Sequence, residues 1–107
     1  MASSKRDKAL LAEINGVARR LAHGQQLSEA EQQEAAATLS QVAQGRADLL
    51  AESAGLAIGA HEGGRDEARH LRAAHLCIEA GADLSLIPQW VEEGRRRAGN
   101  SSSPLRL

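Results

Sequence analysis

A chain of 107 residues is of single-domain length, and 21 alanines dominate its 42% apolar content. Its 14 Leu, four Ile and three Val supply most of the large groups, so the core it can bury is modest. The net charge of −1 leaves no overall field to gather nucleic acid or a membrane surface, and the single cysteine, Cys77, excludes an internal disulfide. Phe and Tyr are absent and Trp90 is the only aromatic, so there is no stacking platform for single-stranded nucleic acid.

The start, Met1-Ala2-Ser3-Ser4-Lys5-Arg6-Asp7-Lys8, leads into no apolar run of signal or membrane length, which predicts a cytoplasmic protein. Eleven Arg against two Lys, with so much Ala, suit a GC-rich bacterial genome. Charge is uneven along the chain. Residues 1–27 sum to +3, 28–64 to −5 and 65–107 to +1, so attraction between a basic first helix and an acidic middle is expected.

Residues 5–23 form the clearest amphipathic helix. Leu10, Ile14, Val17 and Leu21 lie within about 60° of one another at 100° per residue, with Leu11, Ala18 and Ala22 widening the stripe. Ser3 or Ser4 can cap its start and Gly24 suits its end, with Arg19, Arg20 and His23 in the last turns. Ser28 and Glu31 then spell a capping box, with Leu27 in the staple position. The stripe that follows runs through Ala35, Leu39, Val42 and Ala43. It holds its phase beyond Gly45 through Leu49, Leu50, Ala54, Ala57 and Ala60. One helix over 29–60 would be about 48 Å long, too long for a domain of this size, and Arg46 would sit on its apolar stripe. A break near Gly45 is therefore predicted. Gly55 and Gly59, four apart, predict close packing against another helix; the charged flanks Arg46, Asp48, Glu52 and Glu62 exclude a membrane dimerisation face.

After Gly63-Gly64, residues 65–80 read as a helix with a charged first half. Its second half, Ala73-Ala74-His75-Leu76-Cys77-Ile78, is apolar nearly all round and is expected to be the buried hub of the bundle. Gly81 ends it. Asp83 or Ser85 starts the last helix, and Pro88, tolerated only in a first turn, favours Ser85 as the cap. Ile87, Trp90, Val91 and Ala98 face inward, and Glu92–Arg96 and Glu93–Arg97 are i,i+4 pairs. The expected fold is all-α: a small antiparallel bundle of four or five helices at about 5–23, 29–44, 47–60, 65–80 and 86–98. It forms a single domain over 1–98 with a flexible tail over 99–107.

The chemistry is less definite than the fold. Leu76, Ala80, Gly81, Ala82, Ile87 and Trp90 resemble the spacing of a DNA-binding helix-turn-helix: a small residue, a turn glycine, then apolar anchors. That resemblance implies a regulator built on residues 66–98. Ser85 and Gln89 would read bases, and Arg95, Arg96 and Arg97 would meet phosphates. Asp83 and Glu92 fall among the groove-facing positions, however, and would repel a phosphate backbone.

Glu67-x-x-His70 places two metal ligands on one helical face, and His61 could join them across the glycine loop. The second Glu-x-x-His step that a carboxylate bundle needs is missing, and His75 lies about 140° around from His70. Cys77 lies in the most apolar stretch, where a thiol is made less acidic, and His70 is about 10 Å along the axis, out of reach as a base. Neither a metal set nor a catalytic group emerges, and no cofactor motif is present.

The reading that remains is a non-enzymatic interaction or regulatory module, since dimerisation or a partner would bury more than the modest core does alone. Leu84, Leu86 and Trp90 are its candidate apolar contacts, and Arg65, Arg69 and Arg72 its candidate basic face; Lys5, Lys8, Arg19, Arg20 and His23 line a second basic face on the first helix. The helix-turn-helix regulator is the alternative, and a helical metal or thiol enzyme comes third.

Overall fold

The computed structural model describes residues 5–22, 27–62 and 68–101. They form five α-helices, α1 (Lys5–Ala22), α2 (Glu29–Ala43), α3 (Ala47–Glu62), α4 (Ala68–Glu79) and α5 (Ile87–Ser101), with a short 3-10 turn, Leu84–Leu86, before α5. The helical bundle expected from the pattern is present, and among the described residues there is no strand. Ser3, Ser4, His23, Gly24, Gly63, Gly64 and residues 65–67 and 102–107 lie outside the described residues, so the caps and stops expected there, and most of the expected tail, do too. The last helix runs to Ser101, three residues into the stretch read as tail.

The helix boundaries follow from local chemistry. Ser28 caps α2: its Oγ accepts from the Glu31 N–H at 3.2 Å while Glu31 Oε1 accepts from the Ser28 N–H at 2.9 Å. These bonds hold the Glu31 carboxyl below its ordinary value. The break between α2 and α3 falls where Gly45 predicted it. Two successive left-handed residues, Gln44 at φ 54° and Gly45 at φ 77°, turn the chain, and the Arg46 N–H bonds back to the Ala43 carbonyl at 3.0 Å. Helix α4 stops in a Schellman arrangement, with Ala82 N–H on Cys77 O, Gly81 N–H on Ile78 O and Gly81 at φ 113°. The cap beyond it is Asp83, not Ser85. Asp83 Oδ1 accepts from both the backbone N–H (3.0 Å) and the hydroxyl (2.7 Å) of Ser85, which lies inside the turn that Asp83 opens. Pro88 then sits in the first turn of α5, where it has no helical bond to break. The Asp83 N–H reaches the Ala47 carbonyl at 3.1 Å and ties this turn to the start of α3.

The hub of the bundle is α3, not the Ala73–Ile78 segment of α4. Helix α3 touches α1, α2, α4, α5 and the 3-10 turn. Leu49, Leu50, Ala51, Ser53, Ala54, Gly55 and Gly59 are buried on it. In α4, Ala73, Ala74, Leu76 and Cys77 are buried, but His75 is exposed and pairs with Glu79 at 3.3 Å, and Ile78 is half-buried. Small residues explain the reversal. Large apolar side chains mark one buried face, whereas Ala, Ser and Gly around a whole helix let neighbours close in from every side. Of the 16 buried residues in the main core cluster nine are alanines, so helix axes approach closely and Ile14, Leu39, Leu50 and Cys77 fill the spaces between them.

The approach is tightest between α3 and α5. A Cβ on Gly55 would collide with the Cβ of Trp90 and come within 2.9 Å of the Ile87 carbonyl oxygen. One on Gly59 would meet the Val91 carbonyl oxygen and lie 2.5 Å from the Arg95 nitrogen. One on Gly94 would lie 2.5 Å from the Leu56 carbonyl oxygen. The glycine spacing in the sequence thus corresponds to backbone-to-backbone packing of two helices, with Gly94 supplying the matching small residue. Because the obstructing atoms on both sides are mostly backbone, no rotamer change relieves the clash. Gly59→Ala is expected to cost about 2 kcal/mol or more in urea unfolding at constant m-value. Gly16→Ala, on an exposed α1 position with nothing within 4 Å, is expected to gain roughly 0.5–1 kcal/mol.

Candidate functional site

A small number of polar contacts ties the helices together. Arg46, in the α2–α3 turn, holds two carboxylates at once. Its Nη1 and Nη2 donate to Asp7 Oδ1 and Oδ2 at 2.9 and 3.2 Å, and its Nε and Nη2 donate to Asp48 Oδ1 and Oδ2 at 3.1 and 3.0 Å. Hydrogen bonds from the guanidinium hold the Asp48 carboxyl below the usual carboxylate range, and those to Asp7 and Asp48 raise the Arg46 pKa further. This clasp anchors the first turn of α1 to the start of α3. Its polarity is the reverse of what the charge blocks predict: the acid comes from the basic first helix and the base from the acidic middle.

A second polar contact lies deeper. Ser53 Oγ donates to Asn15 Oδ1 at 2.5 Å and is also the partner of the Cys77 thiol. Burial pushes that thiol up to about 11, against a smaller opposing effect of Ser53. A thiol this buried and this weakly acidic packs as a small apolar group. Elsewhere on α3, burial raises the Glu52 carboxyl. Arg97 partly offsets this, and Asp48 and Asp7 add to it.

The candidate metal ligands do not assemble into a set. Glu67 lies outside the described residues, and among the described residues no group of three or more His, Cys, Asp or Glu is placed to hold an ion. The Nδ1 atoms of His61 and His70 are buried without a hydrogen-bond partner.

The residues assigned to the helix-turn-helix alternative fall into a different arrangement from that motif. Helix α5 packs on α3 and has no substantial contact with α4, the helix that should brace it. Ser85 is held by Asp83, while Gln89 is exposed. Arg95 pairs with Glu92 at 3.4 Å, and Arg96 and Arg97 both pair with Glu93, at 2.5 and 2.7 Å. Arg96 thus takes Glu93 at i,i+3, not the expected Glu92. Glu93 lies nearer the α3 side, only 23% exposed at its side chain, where one carboxylate can serve two guanidiniums. Those two bonds lower the Glu93 carboxyl, Arg96 contributing most.

Two surfaces remain. The first is the 3-10 turn and the start of α5. Leu84 is 64% exposed, the most exposed large apolar residue described, while Leu86, Ile87 and Trp90 are half-buried. The second is a groove of about 430 Å³ bounded by α1, α2 and α4, with Ala22, Leu27, Gln32, Leu71, Arg72, His75 and Leu76 in its walls. Sequence reasoning named Leu84, Leu86, Trp90 and Arg72 but missed this concavity, since its walls come from three separate segments. Arg72 is half-buried there and its Nε donates to the Ala22 carbonyl at 3.1 Å. Arg65 lies outside the described residues, and Arg69 is placed only as a backbone position in the first turn of α4. The candidate apolar contacts sit on the α3–α5 side and Arg72 on the α1–α4 side, so they are two surfaces and not one.

Among the described residues no helix is long and apolar enough to cross a membrane. Compared with protein-family models, curated proteins and solved structures, the chain matches none.

Two measurements check this chemistry. In the intact fold at pH 8, Cys77 is expected to react with a thiol reagent more than roughly a hundredfold more slowly than a free cysteine, and denaturant should abolish the difference. The Asp48 carboxyl, depressed in the folded state, contributes stability above its unfolded pKa, and that contribution is lost as pH falls through the folded value. Arg46→Gln is therefore expected to lower the thermal midpoint at pH 6–7, and the gap to the parent chain should narrow as the pH falls below the ordinary aspartate pKa of about 3.9.

Proposed function

We propose that this chain is a non-enzymatic helical interaction module that docks a protein partner through the edge formed by Leu84, Leu86 and Trp90. What supports the reading is the 64% exposure of Leu84 on a turn that is held rigid. Asp83 caps that turn twice, and its backbone N–H is pinned to Ala47 of the central helix. A large apolar side chain on a mobile loop would lose entropy on binding; on a fixed turn that cost has already been met, so most of its burial would appear as affinity. The half-buried Trp90 beyond it, packed over Gly55, is the type of residue that anchors an interface core. The acids at Asp83 and Glu92, and the pairing of the α5 arginines with Glu92 and Glu93, favour a protein partner over a phosphate backbone.

The partner is a protein with an apolar recess, and a second copy of the chain is one such protein. A photo-crosslinking residue at position 84 in the native cell is expected to give a discrete adduct, where the same residue at the exposed positions Glu13 or Gln33 gives none. An adduct of twice 11.3 kDa identifies a homodimer, and a different mass identifies another protein. Leu84→Ser is expected to abolish the association while changing stability by less than about 0.5 kcal/mol, as an exposed substitution should. Equal labelling at positions 84, 13 and 33 would refute the assignment.

A further inference from the structure

Among the described residues, the Nδ1 atoms of His61 and His70 are the buried side-chain polar atoms that find no hydrogen-bond partner. A buried polar atom left alone costs free energy, so each such atom calls for an explanation. These two come from different helices, and the register of those helices brings them level. Ser53 of α3 meets the Cys77 thiol of α4, and the Asp83 N–H beyond the end of α4 bonds to the Ala47 carbonyl at the start of α3. The two helices therefore run antiparallel. His61 lies eight residues beyond Ser53, and His70 seven residues before Cys77. At 1.5 Å per residue these are advances of about 12 Å and about 10.5 Å in the same direction, so the histidines stand within about 2 Å of one level. Seven residues are close to two full turns, which puts His70 on the face of α4 that carries Cys77 to Ser53. By the same count His61 follows the wholly buried Ala54 of α3. Both histidines are half-buried, so the pair sits at the rim of the α3–α4 seam, within reach of solvent.

We propose that His61 and His70 together bind one divalent ion of the zinc, nickel and copper class through their Nδ1 atoms, with water completing the coordination. A neutral imidazole protonated at Nε2 offers Nδ1 as a lone pair. Imidazole nitrogen suits zinc, nickel and copper, whereas magnesium and calcium take oxygen. One ion shared across the seam gives both nitrogens the partner that neither finds within the fold. Among the described residues no three His, Cys, Asp or Glu gather at one point, so the site is a two-imidazole one, open to water and weaker than a four-ligand structural site. The two ligands stand on helices already packed together, which keeps the ordering cost of binding small. The ion links the last turn of α3 to the first turn of α4. It closes that end of the hairpin as the Asp83–Ala47 bond closes the other.

Zinc chloride is the probe, followed on the full chain by calorimetry and by the imidazole nitrogen NMR resonances. Zinc is expected to bind saturably, one ion per chain, and to shift the Nδ1 resonances of His61 and His70. Those of His75, exposed and paired with Glu79, should stay in place. Magnesium should shift neither histidine of the pair. His61→Gln and His70→Gln should each weaken zinc about tenfold or more, and His75→Gln should bind it like the parent chain. Saturating zinc should raise the thermal midpoint of the parent chain and of His75→Gln, but of neither ligand variant. If a ligand variant fails to fold, its amide spectrum will show it, and the imidazole shifts of the parent chain then decide alone. No saturable binding, shifts at Nε2 instead of Nδ1, shifts at His75 instead of the pair, or either folded ligand variant binding zinc like the parent would each overturn the proposal and leave a bridging water as the partner of the two nitrogens.

Discussion

How closely a neighbouring backbone can approach α3 governs the rest of this molecule. Gly55 and Gly59 on α3 and Gly94 on α5 remove the Cβ atoms that would hold the two helices apart, and Ala51 and Ala54 do the same on a smaller scale. Dispersion falls off steeply with separation, so bringing backbones into contact recovers packing energy that an alanine-rich composition would otherwise lack. This is how a chain with no Phe, no Tyr and few large aliphatics still builds a core. The arrangement is intolerant in return. A long side chain can find another rotamer, but a backbone atom facing a glycine has nowhere to go.

The central helix also organises the polar interior. Arg46 clasps Asp7 and Asp48 where α3 begins, Asp83 bonds to Ala47 just after it, and Ser53 joins Asn15 of α1 to Cys77 of α4. Each of these connects α3, or the turn leading into it, to a different element, and each satisfies groups that would otherwise be stranded on a crowded helix. Helix α5 is held through its close packing on α3 and through the 3-10 turn, which is itself tied to the start of α3.

Charge is spent locally on the outer face of α5. Glu92 and Glu93 take up Arg95, Arg96 and Arg97, turning a run of three cations that reads as a phosphate-binding end into a set of intrahelical pairs. Arg72, by contrast, is half-buried, and its Nε is tied to the Ala22 carbonyl at the end of α1.

The amino-acid sequence alone determined the helical class, the capping box at Ser28, the break at Gly45, the stop at Gly81 and the close contact implied by Gly55 and Gly59. All of these are local: a cap, a left-handed turn or a missing Cβ acts within a few residues, so its signature is contiguous in the chain. Only the tertiary structure decided which helix is central, because apolar side chains advertise burial while alanine and glycine do not. Hence Ala73–Ile78 stood out and α3 did not. It alone decided the Asp83 cap, since Asp83 and Ser85 are both competent and the turn geometry chooses. It also decided the groove between α1, α2 and α4, whose walls are contributed by residues from Ala22 to Leu76 that become neighbours only when three helices pack.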